Sequence, residues 1–167
     1  MYISSFKAGT ERTVKLAYTL SSSAQLGYWT YGVYVYRSST VLDEVAGQGF
    51  TVETPLKSGE ILVIADSPDP VLHGKTATFT VVVKNTGNTI WSSGKVTIKI
   101  HKPGSTSLYT TKSLSISNIA PGVEYTYDVK WAVSSYATTG TYTYDVYFYY
   151  GTSTLMSSDL GNTVTIN

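Results

Sequence analysis

Val123-Glu124-Tyr125-Thr126-Tyr127-Asp128-Val129-Lys130-Trp131-Ala132-Val133 places an apolar or aromatic side chain at every second position, and Glu124, Thr126, Asp128 and Lys130 fill the places between. A helix would scatter these residues around its axis. An extended strand puts Val123, Tyr125, Tyr127, Val129, Trp131 and Val133 on one face. The same period of two recurs on both sides. Thr76–Lys84 turns Ala77, Phe79, Val81 and Val83 inward, and Lys95–His101 turns Val96, Ile98 and Ile100 inward. In Thr141–Tyr150 the inward set is Tyr142, Tyr144, Val146 and Phe148, which sends Tyr147 and Tyr149 outward. Turn chemistry separates the runs: His73-Gly74, Asn85-Thr86-Gly87-Asn88, Pro103-Gly104, Pro121-Gly122, Thr139-Gly140 and Leu160-Gly161-Asn162. The pattern predicts strands near 60–66, 75–84, 94–102, 107–118, 123–133, 140–151 and 162–167, with 152–156 as an extra turn back. Short strands at this spacing predict an all-β sandwich of two antiparallel sheets.

Composition agrees. Tyr accounts for 15 residues, and charged residues are only 14% of the chain, so Ser and Thr carry most of its polarity. That suits strands and not long helices. A net charge of +1 without a basic stripe leaves nucleic acid no electrostatic footprint. The absence of cysteine removes disulfides, thiolate metal sites and cysteine nucleophiles. No apolar run reaches the length of a membrane span, no leader pattern follows Met1-Tyr2-Ile3, and no Asn sits in a glycosylation sequon.

The chain also repeats itself. A shift of 113 residues lays Ile3-Ser4 on Ile116-Ser117, Gly9 on Gly122, Glu11 on Glu124, and Ser21-Ser22 on Ser134-Ser135. It also lays Gly27 on Gly140, Thr30-Tyr31 on Thr143-Tyr144, Val33-Tyr34 on Val146-Tyr147, and Tyr36 on Tyr149. A gap is expected only in the final strand, where Thr51-Val52 meets Thr163-Val164 at a shift of 112. This predicts tandem copies of one domain. Residues 1–57 would be the C-terminal half of a repeat plus its linker, and 58–167 a complete one. In the first copy Val14, Leu16, Tyr18 and Leu20, then Trp29, Tyr31, Val33 and Val35, are the expected inward residues, and Met1 takes the place of Leu114, a core position. The linker Thr54–Gly59 is short, so the copies are expected to follow one another like beads.

The half copy poses a physical problem. It lacks everything equivalent to residues 58–113, including three strands and half the core. Leaving its inward side chains in water forfeits more than a domain's whole margin of about 5–15 kcal/mol. Three resolutions stand open at this point. The sequence is a piece of a longer array, or the missing strands come from a neighbouring chain, or the segment rearranges.

The stretch Ser67-Pro68-Asp69-Pro70-Val71, Gly74, Thr78-Phe79-Thr80-Val81-Val82-Val83 and Asn85-Thr86-Gly87, followed by Ile116-Ser117-Asn118-Ile119-Ala120-Pro121-Gly122 and Gly140-Thr141-Tyr142, resembles the cell-adhesion-related domain found in bacteria (CARDB) and related immunoglobulin-like modules of archaeal and bacterial surface proteins. The resemblance covers residues 60–167, and its second half recurs in 1–54. It implies a seven-stranded sandwich with an extracellular, non-catalytic role. Asn-x-Gly is expected to end a strand with residues that tolerate positive φ, and Pro-Gly to open a tight turn.

Few constellations suggest chemistry. His73 and His101 share no ligand spacing and are expected at the surface. Asp66 and Asp69 offer two oxygen ligands for a cation such as Ca²⁺, but a turn in which they accept backbone N–H bonds is the simpler reading. Asp43-Glu44 is a weaker case of the same kind. No G-x-S-x-G elbow appears, and the acids lie scattered over outer strand faces. No catalytic residue, metal or cofactor is therefore expected. The candidate contact surface is aromatic: Tyr147 and Tyr149, their counterparts Tyr34 and Tyr36, and Trp91. For Trp91 a cap on the end of the sandwich is the favoured reading, and for the tyrosines cross-strand stiffening competes with contact. The expected role is a structural module of an extracellular array (surface layer, filament, stalk or virion appendage) that contacts other copies of itself or neighbouring immunoglobulin-like repeats. The alternative is an adhesin or glycan-binding module.

Overall fold

The alternating runs become strands. A computed structural model of the chain describes Ile3 and residues 7–167. The expected match of Met1 with Leu114, and of Ser4 with Ser117, falls outside the described residues. The chain divides into one unit ending at Thr54 and another spanning Pro55–Asn167. The first holds β1 (Gly27–Arg37) and β2 (Thr40–Val52). The second holds β3 (Gly59–Ser67), β4 (Thr76–Asn85), β5 (Gly94–His101), β6 (Leu108–Ile116), β7 (Glu124–Ala132), β8 (Gly140–Tyr150) and β9 (Thr154–Ile166).

The larger unit is an immunoglobulin-like sandwich. One sheet has the order β3-β4-β7 and the other β6-β5-β8-β9, with every strand pair antiparallel. Between them Phe79, Val81, Val83, Val96, Ile98, Ile100, Trp131, Tyr142, Tyr144, Val146 and Phe148 are buried, as the alternation predicts. Val123 is the exception on its strand, because β7 begins one residue later and leaves it 45% exposed. Tyr125 and Tyr127 are only half-buried, since β7 lies at the edge of its sheet. The boundary falls three residues earlier than expected. Leu56 donates its N–H to Asn88 Oδ1 at 2.7 Å and accepts from Asn88 N–H at 3.1 Å, so the expected linker is part of the sandwich.

The sequence reads Leu160-Gly161-Asn162 as a turn and starts a strand after it. The structure runs β9 straight through these residues. Gly161, at φ 79°, sits in a bulge opposite Asp145, whose Oδ1 accepts the Gly161 N–H at 2.9 Å. Glycine here supports an extra residue within the strand and does not reverse it.

The smaller unit departs further from expectation. Residues 10–20 form no strand, and Leu16 and Tyr18 are 68% and 82% exposed. Their counterparts in β7 pair with β4, and the described residues of the smaller unit offer no such partner, so the stretch has no ladder to join. The hairpin does form, because its pairing is local. Its Tyr31, Val33 and Val35 are exposed where Tyr144, Val146 and Phe148 are buried.

The register of that hairpin copies β8–β9. Tyr31 pairs with Gln48 and Val33 with Val45 across a bulge, as Tyr144 pairs with Asn162 and Val146 with Asp159. A second bulge follows between Val35 and Tyr36, as between Phe148 and Tyr149. Gly47 takes φ 76° at the first bulge, matching Gly161. By this register Thr51 corresponds to Thr165 and not to Thr163. The length difference lies in the hairpin turn, Ser38-Ser39 against Gly151-Thr152-Ser153. A two-residue slip preserves which face each side chain occupies, so alternation alone does not reveal it.

Candidate functional site

The outward tyrosines of β8 lie beside the outward lysines of β5, because the two strands are hydrogen-bonded neighbours. Lys95 pairs with Tyr149, Thr97 with Tyr147, and Lys99 with Asp145. The Tyr147 and Tyr149 rings stack at 6.2 Å and 25°. Lys95 Nζ stands 4.8 Å from the Tyr149 ring centre and Lys99 Nζ 4.6 Å from that of Tyr147, within cation–π reach. Lys95 Nζ also donates to the Thr152 carbonyl at 2.6 Å. Both tyrosines are half-buried under this cover.

Asp145 anchors one end of the row. Besides the Gly161 amide, its Oδ2 lies 3.1 Å from His101 Nε2 and 3.5 Å from the Tyr147 hydroxyl. On the other side of its ring, His101 Nδ1 lies 2.9 Å from the Thr106 carbonyl oxygen. Desolvation, then the Asp145 charge and the neighbouring Tyr149, raise the Tyr147 pKa, keeping its phenol a neutral donor. The arrangement is a small platform of stacked rings edged by two ammonium groups. It can make flat apolar contact together with hydrogen bonds. It holds no nucleophile–base pair.

The counterpart rings in the smaller unit lack this cover. Tyr34 and Tyr36 lie 6.3 Å apart and are 47% and 57% exposed. On the other face of the hairpin, Leu16, Tyr18, Trp29, Tyr31, Val33 and Phe50 line an open apolar hollow.

Trp91 leaves the candidate surface. It is fully buried, and its backbone N–H and carbonyl bond those of Ile119 at 3.1 and 3.0 Å. Its ring packs on Phe148 at 5.1 Å and on Tyr150 at 5.4 Å. An indole closed over by the sandwich end is out of reach of a ligand.

Asp66 and Asp69 serve different partners. Asp66 Oδ1 accepts from the Tyr144 hydroxyl at 2.9 Å, and Asp69 Oδ1 accepts the Thr165 N–H at 2.9 Å. Asp43 Oδ1 accepts the Glu44 N–H at 2.9 Å. His73 is half-buried, with Nε2 2.6 Å from the Ala137 carbonyl oxygen. Among the described residues no group of three or more His, Cys, Asp or Glu could hold a metal ion.

Sequence reasoning missed the polar hub of the sandwich. Asn85 is completely buried. Its Nδ2 donates to the carbonyls of Thr89 at 2.7 Å and Ile119 at 2.9 Å, and its Oδ1 accepts the Gly87 N–H at 3.0 Å. Its own carbonyl accepts the Gly122 N–H at 2.8 Å. The two motifs of the resemblance, Asn-x-Gly and Ile-x-Pro-Gly, are thus one hydrogen-bonded unit. Gly87 is not among the residues at positive φ. It is glycine because a Cβ there would fall 2.2 Å from the Leu56 carbonyl oxygen.

Among curated proteins no match was found. Among solved structures, a cycloisomaltooligosaccharide glucanotransferase from Paenibacillus sp. is similar at 22% identity and TM-score 0.49, over 67% of this chain and 14% of that one. A CARDB domain from Pyrococcus furiosus, solved in complex with di-metal ions, is similar at 22% identity and TM-score 0.42, over 69% of this chain and 90% of that one. Spo0M, a sporulation control protein of Bacillus subtilis, is similar at 13% identity and TM-score 0.42, over 67% of this chain and 50% of that one. The chain therefore spans only a small part of the glucanotransferase. The CARDB family model matches residues 60–153, more than half of the chain. With the sandwich and its linked Asn85 and Gly122 motifs in place, the chain belongs to the CARDB family.

Proposed function

We propose that the chain is a structural module of an extracellular array, without catalytic activity of its own, whose partners are neighbouring immunoglobulin-like repeats. CARDB is a family of non-catalytic modules that occur in surface-associated proteins. Among the described residues no helix is long and apolar enough to cross a membrane. The observation that carries the reading is the β1–β2 hairpin. It repeats the register and both bulges of β8–β9, yet its apolar face is exposed and, among the described residues, no strand pairs with the outer edge of β1. A hairpin built like half a module is what an array of modules would present for completion. Light scattering and electron microscopy of the 167-residue chain across a concentration series test this. Association that grows with concentration, through the exposed apolar face of the hairpin and not through its β1 edge, is the expected result. A strict monomer in which residues 7–54 exchange their amide hydrogens freely would argue against assembly.

The second reading, a glycan-binding or adhesive module, is favoured by the Tyr147–Tyr149 platform with its flanking lysines. With Trp91 buried, that reading rests on the tyrosines alone. A glycan array without binders would remove it.

A further inference from the structure

Every strand has two edges, and the edges of β1 and β8 are used differently. β8 bonds β9 on one side and β5 on the other, whereas β1 bonds only β2. The counterpart of β7, residues 11–19, has likewise lost the ladder that β4 supplies in the larger unit. Among the described residues the smaller unit holds no strand like β4 and none like β5. Both lie within residues 58–113 of the larger unit.

We infer that the free edge of β1 is a docking site for a polypeptide half-sandwich of the kind residues 58–113 form, entered by a β5-type strand antiparallel to β1. The inference deepens the array reading and rests on it in taking the hairpin as half a module. The shared register fixes the alignment. In the larger unit Val96, Ile98 and Ile100 lie opposite Phe148, Val146 and Tyr144. The incoming strand accordingly sets three β-branched residues opposite Val35, Val33 and Tyr31.

Its outward residues are specified too. Tyr147 and Tyr149 are covered by Lys99 and Lys95 of β5. Tyr34 and Tyr36 lie at a similar spacing, 6.3 Å with rings tilted by 34°, but remain about half exposed. The incoming strand therefore carries two lysines or arginines four residues apart, which close over these rings. An intact second copy of this chain does not qualify as donor, because its β5 is already held between β6 and β8. The occupant is a half-module with strands to spare.

The test joins a second copy of residues 58–113 ahead of Met1 of the full chain, with backbone amide exchange followed by NMR. The expected result is a slowing of roughly a hundredfold or more at the β1 amides that face away from β2, as for amides within a formed sheet. Protection of β5 and β8 in the original unit reports that the chain is folded. Asp at the positions matching Ile98 and Ile100 in the added copy alone should abolish the new protection while leaving that of the original unit unchanged. Unchanged exchange at β1 in the extended chain would overturn the inference, as would protection that survives both Asp substitutions. A dimer of the unextended chain with β1 already protected would put a second copy on the edge and overturn it as well. If the extended chain is protected while the unextended chain stays monomeric, the docking chemistry stands and association of free chains fails, so the two readings are separable.

Discussion

The Asn85 side-chain amide donates to the Ile119 carbonyl oxygen at 2.9 Å inside a fully buried pocket, tying the end of β4 to the segment that leads into β7. Asn85→Ala would take the side-chain donor from the Thr89 carbonyl and one of two partners from the Ile119 carbonyl and the Gly87 amide, which keep the Trp91 N–H and the Ser58 carbonyl. An unmade buried hydrogen bond costs about 1–3 kcal/mol, and losing one of two partners costs less, so a loss of roughly 2–4 kcal/mol is expected. Asn85→Asp should be no milder, because an oxygen would replace the nitrogen that faces the Thr89 and Ile119 carbonyls. Urea unfolding of the two variants measures both, and a loss below about 1 kcal/mol would deny the hub its role.

Two glycines answer for close packing and not for backbone freedom. A Cβ on Gly87 would sit 2.2 Å from the Leu56 carbonyl oxygen, a backbone atom with no room to yield. Gly87→Ala should therefore cost about 3 kcal/mol or more and free residues 55–58 from the sandwich. A Cβ on Gly59 would meet Trp91 at 2.6 Å and Phe148 at 2.8 Å. Gly59→Ala should cost about 1–3 kcal/mol and shift the Trp91 emission as its ring moves. Calorimetry and fluorescence distinguish the two outcomes.

The period of two made the sandwich legible. It placed seven strands and nearly all the inward residues from Ala77 to Phe148, because burial on one face leaves a mark at every second residue. What it left unread depended on partners. Residues 11–19 carry a strand pattern and form none, since a strand also needs a ladder. Gly161 resembles a turn residue but supports a bulge, because only the carboxylate across the sheet, Asp145, makes that geometry useful. The lysine cover on Tyr147 and Tyr149 was present as two outward lists. Which lists face each other depends on sheet order, which alternation does not encode.

Tyr144 gives the sandwich a limit in alkali. Burial first, then its hydrogen bond to Asp66 and the charges of Asp66, Asp159 and Asp69, hold its pKa well above the usual value near 10. The folded state therefore keeps this proton after the unfolded chain has lost it. The associated stability is fully present below about pH 10 and declines as pH rises further, by about 1.4 kcal/mol per unit for each such tyrosine until the folded group titrates. Tyr142 and Tyr127, also raised by desolvation, act in the same direction. Unfolding by urea at pH 9, 10 and 11 should show this decline. Tyr144→Phe should make it shallower while lowering stability at pH 7, since the Asp66 carboxylate then loses the hydroxyl that donates to it at 2.9 Å. An unchanged slope would detach the alkaline limit from Tyr144.

The Lys99–Tyr147 contact separates stiffening from recognition. An exposed cation–π pair contributes about 0.5–1 kcal/mol, so Lys99→Ala should lower stability by no more than that, and Lys95→Ala by a similar amount plus the loss of its bond to the Thr152 carbonyl. If the rings serve only to stiffen the sheet, Tyr147→Ala and Tyr149→Ala should change stability while leaving the chain's self-association and any glycan binding as they were. If the platform is a contact surface, the lysine variants should uncover the rings and alter that binding more than they alter the unfolding midpoint. Ring exposure read by tyrosine accessibility to a neutral quencher, set beside the unfolding midpoint of each variant, decides between the two.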